Sequence, residues 1–155
     1  MTPLLFDTDV LSNYLKPRAR ERQPRLVRIV YESLQGEGLF ISSVTKYELL
    51  RGLRKLQLQG QGRRKEVSVK RLLDAAYAIS PDALGGAAWN VAADLWARAS
   101  LQGLKFGEAD LIITATASVS SRQLVTCDSK HVEKLEAVGF QGEVKLLQVE
   151  PDPGS

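Results

Sequence analysis

Short runs of apolar residues alternate along the chain with longer segments in which apolar residues recur every three or four positions. The short runs predict strands at about residues 3–7, 39–41, 124–128 and 144–149. The periodic segments predict helices at about residues 9–16, 24–34, 45–59, 63–77, 82–102 and 130–138, and a further helix that begins at Glu108. A short extended piece holds Ile79, before Pro81. Strands that alternate with helices predict an α/β fold of three layers (α/β/α), with a mostly parallel sheet between two layers of helices.

The pattern contains no break that would separate two domains. Residues 1–150 are therefore predicted to form a single domain, and this length is ample for a hydrophobic core. Residues 17–25 have no apolar period and are predicted to be a charged connection. Residues 151–155 are predicted to be a frayed tail.

Composition and charge narrow the class of protein only slightly. Lys and Arg outnumber Asp and Glu by 21 to 18, and the net charge of +3 gives a mild preference for anionic partners. The single cysteine, Cys127, excludes an internal disulfide, fits a reducing compartment and is expected to be a small core residue. No apolar run approaches the roughly 18 residues of a membrane span, and no signal sequence precedes the first strand. The protein is therefore predicted to be cytoplasmic.

Four acidic residues stand at the ends of predicted strands or the starts of predicted helices: Asp7, Glu48, Asp110 and Asp128. Each one has an ordinary structural interpretation. Asp7 and Asp128 are suited to cap the helices that follow them. Glu48 matches a capping box with Thr45, and Asp110 suits the first turn of its helix, where the macrodipole favours a negative charge.

Taken together, the four acids favour a functional interpretation. In a right-handed α/β sheet, the carboxyl ends of the strands and the starts of the following helices lie at one edge, where ligands bind. Clustered carboxylates raise each other's pKa unless a cation neutralises them. Oxygen ligands without a His or Cys cluster favour Mg²⁺ or Mn²⁺, which activates water for attack on a phosphodiester. The acids therefore predict metal-dependent phosphodiester hydrolysis.

The segments around these acids resemble the motifs of PIN-domain ribonucleases, most closely those of the VapC toxins of toxin–antitoxin pairs. The segments are LLFDTDVLSNYL, ISSVTKYELLRGL, GEADLIITATA and LVTCDSKHVEKL, and the resemblance runs from residue 4 to about residue 149. It implies a small α/β/α fold and endonucleolytic cleavage of RNA with Mg²⁺ or Mn²⁺. It also implies a homodimer and inhibition by a cognate antitoxin protein.

The resemblance further implies roles for particular residues. The catalytic and metal-binding acids of the family correspond to Asp7, Glu48, Asp110 and Asp128. Polar residues that support those acids correspond to Thr8 and Thr126. The family's common His-Phe pair after the last acid is His131-Val132 in this chain. His131 is expected to be structural or exposed, with contact to the substrate as the alternative.

Two other functions stay open at this point. The segment Asp7-Thr8-Asp9-Val10 is also similar to the first motif of haloacid-dehalogenase-type phosphatases, but the Lys and the acidic pair which that family needs are not evident around Asp128. A PIN-like module that binds RNA or regulates without turnover is the other alternative, and such a module has no need of a repulsive acid cluster. In the nuclease interpretation, Asp9 is a supporting or first-turn residue.

A basic run offers a surface for nucleic acid. Residues 51–71 contain eight Lys or Arg residues and a single acid, Glu66. Such a run is typical of a solvated helix face. Beside a nuclease site it is equally suited to bind the RNA backbone, and Arg63, Arg64 and Lys65 are the predicted contacts.

Two tryptophans on the predicted helix at residues 82–102 are candidates for the core. Trp89 and Trp96 are seven residues apart and lie on nearly the same side of that helix. Large aromatic residues at this spacing are predicted to fill the core. The alternative is that they border a face for the antitoxin or for a second copy of the chain.

Overall fold

The computed structural model describes residues 2–150, and the predicted tail at 151–155 lies outside them. Within these residues five strands form one parallel sheet: β1 Leu4–Phe6, β2 Leu39–Ser42, β3 Ala76–Ile79, β4 Gln123–Thr126 and β5 Val144–Leu146. Eight α-helices accompany the sheet: α1 Thr8–Tyr14, α2 Ala19–Arg22, α3 Pro24–Gln35, α4 Ser43–Leu58, α5 Arg63–Ala75, α6 Ala87–Leu101, α7 Glu108–Val119 and α8 Ser129–Ala137. A 3₁₀ helix at Leu84–Gly86 precedes α6. The predicted three-layer α/β/α fold is confirmed.

The order of the strands places two acids at one point of the sheet. The order is β3-β2-β1-β4-β5, and Phe6 of β1 pairs with both Ile41 of β2 and Val125 of β4. The chain therefore builds outward on one side of β1 and then crosses to the other side at β4. In open α/β sheets, ligands bind beyond the carboxyl ends of the two strands where the winding reverses. Asp7 follows β1 directly, and Asp128 follows β4 by two residues.

Alternate strand residues face two separate cores. One core contains Phe6 and Val125 together with apolar side chains of α1, α3, α4 and α5. The other contains Leu5 and Leu124 together with apolar side chains of α6, α7 and α8. Because successive strand residues point to opposite faces, helices cover both faces of the sheet.

The structural interpretation of Glu48, a capping box with Thr45, is wrong. Helix α4 begins two residues earlier than predicted, at Ser43, and Ser42 caps it by accepting a hydrogen bond from Val44 N–H at 3.1 Å. Ser42 is the last residue of β2 and still has extended dihedral angles, which is the backbone conformation that an N-cap requires. Because β2 ends at Ser42, α4 starts at the next residue, and Glu48 lies in the second turn of the helix.

Other boundaries also differ from the prediction. The charged connection at 17–25 contains the short helix α2, and β4 ends at Thr126, two residues before Asp128, which caps α8. The helix predicted from residue 82 begins at Ala87, since Gly85 and Gly86 have φ values of 73° and 74°. Within residues 2–150 no helix is long and apolar enough to cross a membrane.

The prediction that the two tryptophans fill the core is wrong. Trp89 is 45% exposed and Trp96 is 54% exposed. Helix α6 instead buries a row of mostly small side chains: Ala88, Ala92, Leu95 and Ala99. Small residues let α6 pack closely against α7, and the larger indoles lie outside that contact. The Trp89 indole N–H donates to Asp82 Oδ1 at 2.6 Å.

Candidate active site

Asp7 lies at the point where the winding of the sheet reverses. Its side chain accepts a hydrogen bond from Thr8 N–H at 2.8 Å and thereby caps α1. The other carboxylate oxygen lies 2.9 Å from the hydroxyl of Thr126, and Asp7 is only 5% exposed. Asp7 therefore both caps α1 and lies at the candidate site.

The hydroxyl of Thr126, at the end of β4, connects three acids. Its oxygen lies 2.9 Å from Asp7 Oδ2 and 3.2 Å from Asp9 Oδ2, and it accepts a hydrogen bond from Asp128 N–H at 3.2 Å. A hydroxyl has one proton to donate, so Asp7 and Asp9 compete for it. These contacts are compatible with the supporting role that the resemblance implies for Thr126.

Asp9, in the first turn of α1, is bound to the loop that follows β4. Its two carboxylate oxygens lie 3.1 and 3.2 Å from the backbone nitrogen of Cys127. This contact fastens the start of α1 to the loop that carries Asp128. The sequence indicated a supporting or first-turn position but no partner, because the two contacting residues are 118 positions apart.

Glu48 enters the site from the second turn of α4. Thr8 Oγ1 donates to Glu48 Oε1 at 2.7 Å, and the same hydroxyl oxygen lies 3.0 Å from Thr45 Oγ1. Arg51 Nη2 lies 3.3 Å from Glu48 Oε2. Both carboxylate oxygens of Glu48 therefore have partners, and Thr8 links the start of α1 to α4.

Asp110 and Asp128 lie at the starts of two helices. Asp110 occupies the first turn of α7. A Cβ atom at Gly107 would lie 3.0 Å from Asp110 Oδ2, so this glycine leaves space for the carboxylate. Asp128 caps α8 by accepting a hydrogen bond from His131 N–H at 3.1 Å.

A buried polar pair joins the helices that carry these two acids. His131 Nε2 and Thr114 Oγ1 lie 2.8 Å apart, His131 is 4% exposed and Thr114 is fully buried. The ring of Phe106 packs edge-on against the imidazole, with 5.4 Å between the ring centres. Thr114 lies one turn beyond Asp110, so the pair fixes α7 relative to α8 close to both Asp110 and Asp128. His131 is therefore a buried structural residue, one of the two roles that its sequence context indicated.

Burial and neighbouring charges raise the pKa of several acids. Burial, followed by the charges of Asp9 and Asp110, raises the pKa of Asp7 from its ordinary 3.8 to about 8. Burial also raises the pKa of Asp9 to about 6, although hydrogen bonds from Cys127 and Thr126 oppose the change. Both pKa values are therefore well above those of ordinary carboxyl groups.

The electrostatic interactions extend to the remaining acids. The pKa of Asp110 is raised first by burial and then by the charges of Glu48 and Asp128, while His131 and Lys134 oppose the shift. Five acids thus share one electrostatic environment, and we call them the acid cluster: Asp7, Asp9, Glu48, Asp110 and Asp128. Strongly shifted acids in one place are a mark of functional sites.

The acid cluster has the ligand chemistry of a site for Mg²⁺ or Mn²⁺, because carboxylate oxygens are the ligands that these ions prefer. In the present arrangement, no group of three or more Asp, Glu, His or Cys side chains within residues 2–150 is close enough together to hold a metal ion. Thr8 and Arg51 contact the Glu48 carboxylate, and the His131 N–H contacts Asp128. Coordination of one cation by several of these acids would therefore require their side chains to turn toward one another.

The predicted RNA contacts lie away from the acid cluster. Arg63, Arg64 and Lys65 open α5, just after the turn that separates α4 from α5. Glu48 is about ten residues from the end of α4, which corresponds to about 15 Å along the helix axis. The three basic residues therefore lie at the far end of α4, where only an extended substrate would contact both them and the acids.

A groove of about 590 Å³ lies on a different surface, between α1, α2, α3 and α5. Its lining includes the basic residues Lys16, Arg18, Arg20 and Arg71 and none of the acid cluster. The groove and the acids whose pKa is raised thus lie on different surfaces of the protein. The acids carry the stronger indication of chemistry, because the carboxylate in the groove's lining, Glu21, is exposed and paired with Arg18 at 2.6 Å.

Comparison with known proteins agrees with this fold. The family model described as the PIN domain matches residues 4–137. No curated protein sequence matches the chain. Similar solved structures include VapBC2 from Rickettsia felis bound to a DNA fragment from their promoter, DNA-bound VapBC from Salmonella typhimurium, and FitAcB from Neisseria gonorrhoeae.

The structural similarity extends over nearly the whole chain at low sequence identity. The Rickettsia chain is 16% identical with a TM-score of 0.75, and the match covers 94% of this chain and 98% of that one. The Salmonella chain is 18% identical with a TM-score of 0.73, and the match covers 94% of this chain and 98% of that one. The Neisseria chain is 24% identical with a TM-score of 0.70, and the match covers 91% of this chain and 95% of that one. At such identities the likeness shows a shared fold. The family model spans the four acids that the sequence singled out, from Asp7 to Asp128, and the chain belongs to the PIN-domain family.

Proposed function

We propose that this protein is a divalent-metal-dependent endoribonuclease and the toxin of a VapC-type toxin–antitoxin pair. The observation that carries the proposal is the acid cluster at the reversal point of the sheet. Burial, and after it the charges of neighbouring acids, raises the pKa of Asp7, Asp9 and Asp110, which is unfavourable for the folded protein without a cation. A site that binds a cation and then a phosphodiester gives this arrangement a use.

Four members of the acid cluster would hold Mg²⁺ or Mn²⁺: Asp7, Glu48, Asp110 and Asp128. The bound ion would supply an activated water and would stabilise the negative charge that develops on the phosphate. Thr8 and Thr126 orient Glu48 and Asp7 through hydroxyl hydrogen bonds of 2.7 and 2.9 Å. Asp9 has a different role, because its carboxylate holds the backbone of the loop before Asp128.

RNA is the substrate that this proposal assigns. The chain carries a net charge of +3 although its candidate site is acidic, so the positive charge lies elsewhere on the surface. Arg63, Arg64 and Lys65 at the start of α5 are the proposed contacts to the RNA backbone, which basic side chains bind with release of counterions.

A cognate antitoxin and a second copy of the chain are the proposed protein partners. The similar structures include a toxin–antitoxin complex from Klebsiella pneumoniae and VapBC-5 from Mycobacterium tuberculosis. The exposed indole of Trp96 on α6 is the proposed anchor for one of these partners, since aromatic residues are favoured at interfaces. Titration of a folded Trp96→Ala variant with the antitoxin tests this role, and unchanged affinity would remove Trp96 from that interface.

The test of the function is cleavage of RNA by the purified protein. We expect a mixture of cellular RNAs to be cut in Mg²⁺ or Mn²⁺ and to stay intact in EDTA. The Asp94→Asn variant is the matched control for Asp7→Asn, because Asp94 is an exposed acid on α6 that is paired with Arg98. Cleavage that persists in EDTA, or in Asp7→Asn at the wild-type rate, would contradict the proposal. Tight RNA binding without cleavage in either metal would instead favour a PIN-like binding module.

A further inference from the structure

The connection between α6 and α7 ends at Gly107, the residue whose backbone lies against the carboxylate of Asp110. Residues 104–107 of this connection have no regular secondary structure. A Cβ atom at Gly107 would lie 3.0 Å from Asp110 Oδ2. The course of the backbone just before α7 therefore limits where the Asp110 carboxylate can lie.

Two side chains fasten this connection to α8. Lys134 Nζ donates to the backbone carbonyl oxygen of Lys105 at 2.7 Å. Gln102 Nε2 donates to the backbone carbonyl oxygen of Ala137 at 3.1 Å. The Lys134 contact is the one nearer to Asp110, because Lys105 precedes Gly107 by only two residues. Lys134 thus holds the main chain of the connection immediately before α7.

Phe106 continues these contacts toward Asp128. Lys134 Nζ lies 5.9 Å from the centre of the Phe106 ring, and that ring packs edge-on against the imidazole of His131. The backbone N–H of His131 donates to Asp128 at 3.1 Å. A continuous series of contacts therefore runs from the backbone before Asp110, through Lys134, Phe106 and His131, to Asp128.

We propose that Lys134 is a positioning residue, which sets the separation of the Asp110 and Asp128 carboxylates and thereby the affinity of the acid cluster for a divalent cation. This inference rests on the proposed function and adds a residue that is not itself a ligand. An ammonium group has three donors and no acceptor, so Lys134 acts through Lys105 and Phe106.

The charge and the hydrogen bond of Lys134 have opposite effects on a bound cation. By charge alone, the ammonium group repels a metal ion, so its removal would raise metal affinity. Through the hydrogen bond, Lys134 holds the backbone that places Asp110 near Asp128, so its removal would lower metal affinity. The sign of the change therefore separates the two roles.

The experiment measures binding of Mn²⁺ to the full-length protein, without RNA, by isothermal titration calorimetry. We expect Lys134→Met to weaken binding by about 10-fold, the lower end of the range for residues that support metal ligands. Methionine still packs on Phe106 but has no donor for the Lys105 carbonyl. Lys134→Arg keeps the charge and a donor, and it should restore most of the affinity.

Lys70→Met on α5 is the matched control for the loss of a lysine. It removes one positive charge and a hydrogen bond of 2.8 Å, in this case to Glu66 on the same helix. Lys70 belongs to the solvent-exposed ion pairs of the protein. Mn²⁺ should bind to this variant as it does to the wild type.

A second variant moves the Asp110 carboxylate without a change at Lys134. Gly107→Ala suits the backbone, because Gly107 has φ −65° and ψ 138°, but the added methyl group would lie 3.0 Å from Asp110 Oδ2. Mn²⁺ binding should weaken as it does in Lys134→Met. Thermal melting in EDTA should show a protein nearly as stable as the wild type.

Gln102→Met tests whether any loosening of the connection has the same effect. It removes the contact with Ala137 and leaves the Lys134 contact beside Gly107 in place. The affinity for Mn²⁺ should therefore stay near the wild-type value, although the melting temperature in EDTA falls slightly.

Three results would overturn the positioning role of Lys134. Mn²⁺ affinity that is unchanged or raised in Lys134→Met would exclude it, and a loss shared in full by Lys134→Arg would exclude the hydrogen bond as its cause. Equal losses in Lys134→Met and Gln102→Met would assign the effect to general loosening of the connection. In each case, Mn²⁺ binding and RNA cleavage by the wild type would leave the proposed function standing. A wild-type protein that binds neither Mn²⁺ nor Mg²⁺ would overturn both proposals.

Discussion

Acids on the surface of this protein and acids in the cluster have opposite surroundings. On the surface, Glu66 accepts a hydrogen bond from Lys70 at 2.8 Å, and this contact lowers the pKa of Glu66. Asp94 contacts Arg98 at the same distance. In the cluster, the partners of Asp7 and Asp9 are hydroxyls and backbone N–H groups, and the pKa of both acids is raised.

The difference teaches what each group of acids does for the folded state. A surface acid paired with a base on the next helical turn adds slightly to stability. A buried acid whose nearest charged neighbours are other acids lowers stability once it ionises. Glu48 lies between the two cases, since it belongs to the cluster and yet contacts Arg51. The cluster is therefore a cost of folding, and in the proposed function a bound cation offsets that cost.

The largest expected effect comes from removing the charge of Asp7. Asp7→Asn keeps the size of the side chain and should lower RNA cleavage by about 100-fold or more, because a bound metal contributes several kcal/mol to the transition state and each ~1.4 kcal/mol is a factor of ten. The same change should preserve or raise the stability of the metal-free protein. Cleavage assays and thermal melting in EDTA measure the two effects. A large loss of both activity and stability would mean that Asp7 serves the fold alone.

The pH dependence of stability should separate the two groups of acids. The pKa of Asp7 lies above its ordinary value, so the folded protein keeps a proton that the unfolded chain releases. Its contribution to stability is fully present below about pH 4 and is lost as the pH rises toward about 8. For one such proton, the free energy of unfolding falls by at most about 1.4 kcal/mol per pH unit. Urea unfolding in EDTA across this range should show a fall that is smaller in Asp7→Asn. Equal slopes in the two proteins would place the pKa of Asp7 near its ordinary value.

The polar pair behind the cluster should contribute an intermediate effect. Thr114→Val leaves the buried Nε2 of His131 without its partner, which costs about 1–3 kcal/mol. His131→Phe in the same background should restore part of the loss, because both polar groups are then gone. A double-mutant cycle from urea unfolding measures the coupling. Strictly additive losses would show that the 2.8 Å contact has no energetic weight.

The smallest expected effect is at the far end of α4. Replacing Arg63, Arg64 and Lys65 by Gln should reduce the slope of log K against log[salt] for single-stranded RNA by up to about 0.7 for each contact that is lost. Arg98→Gln on α6 is the control. An unchanged slope would make the basic start of α5 a solvated face.

Local patterns in the sequence predicted most of the helices and strands. Periodicity identified the helices and the runs at β1, β2, β4 and β5, because the burial of one helix face or of a whole parallel strand leaves a regular apolar signature. It missed α2, and it misplaced the starts of α4 and α6. The start of α4 depended on where β2 ended, at Ser42, and a terminus of that kind depends on pairing between distant segments.

The tryptophans of α6 show the limit of residue type as evidence of burial. Their size and spacing favoured the core, yet α6 buries alanines and leaves both indoles partly exposed. Which face of a helix is buried depends on how closely its neighbour approaches, and small residues permit the closest approach. The distance between two packed helices depends on both of them, so the sequence of α6 alone does not reveal it.

By itself, the sequence determined that Asp7 and Asp128 follow strands and that Asp110 opens a helix, because these termini have local signatures. The rule of one sheet edge then brings Asp7 and Asp128 together. Only the tertiary structure decided how the acids are held. It joined Asp9 to Cys127, Thr8 to Glu48, and His131 to Thr114. Each of these contacts links residues that are distant in sequence, and its geometry depends on the packing of whole helices. The pKa shifts belong to the same category, because burial and charge proximity exist only once the chain has folded.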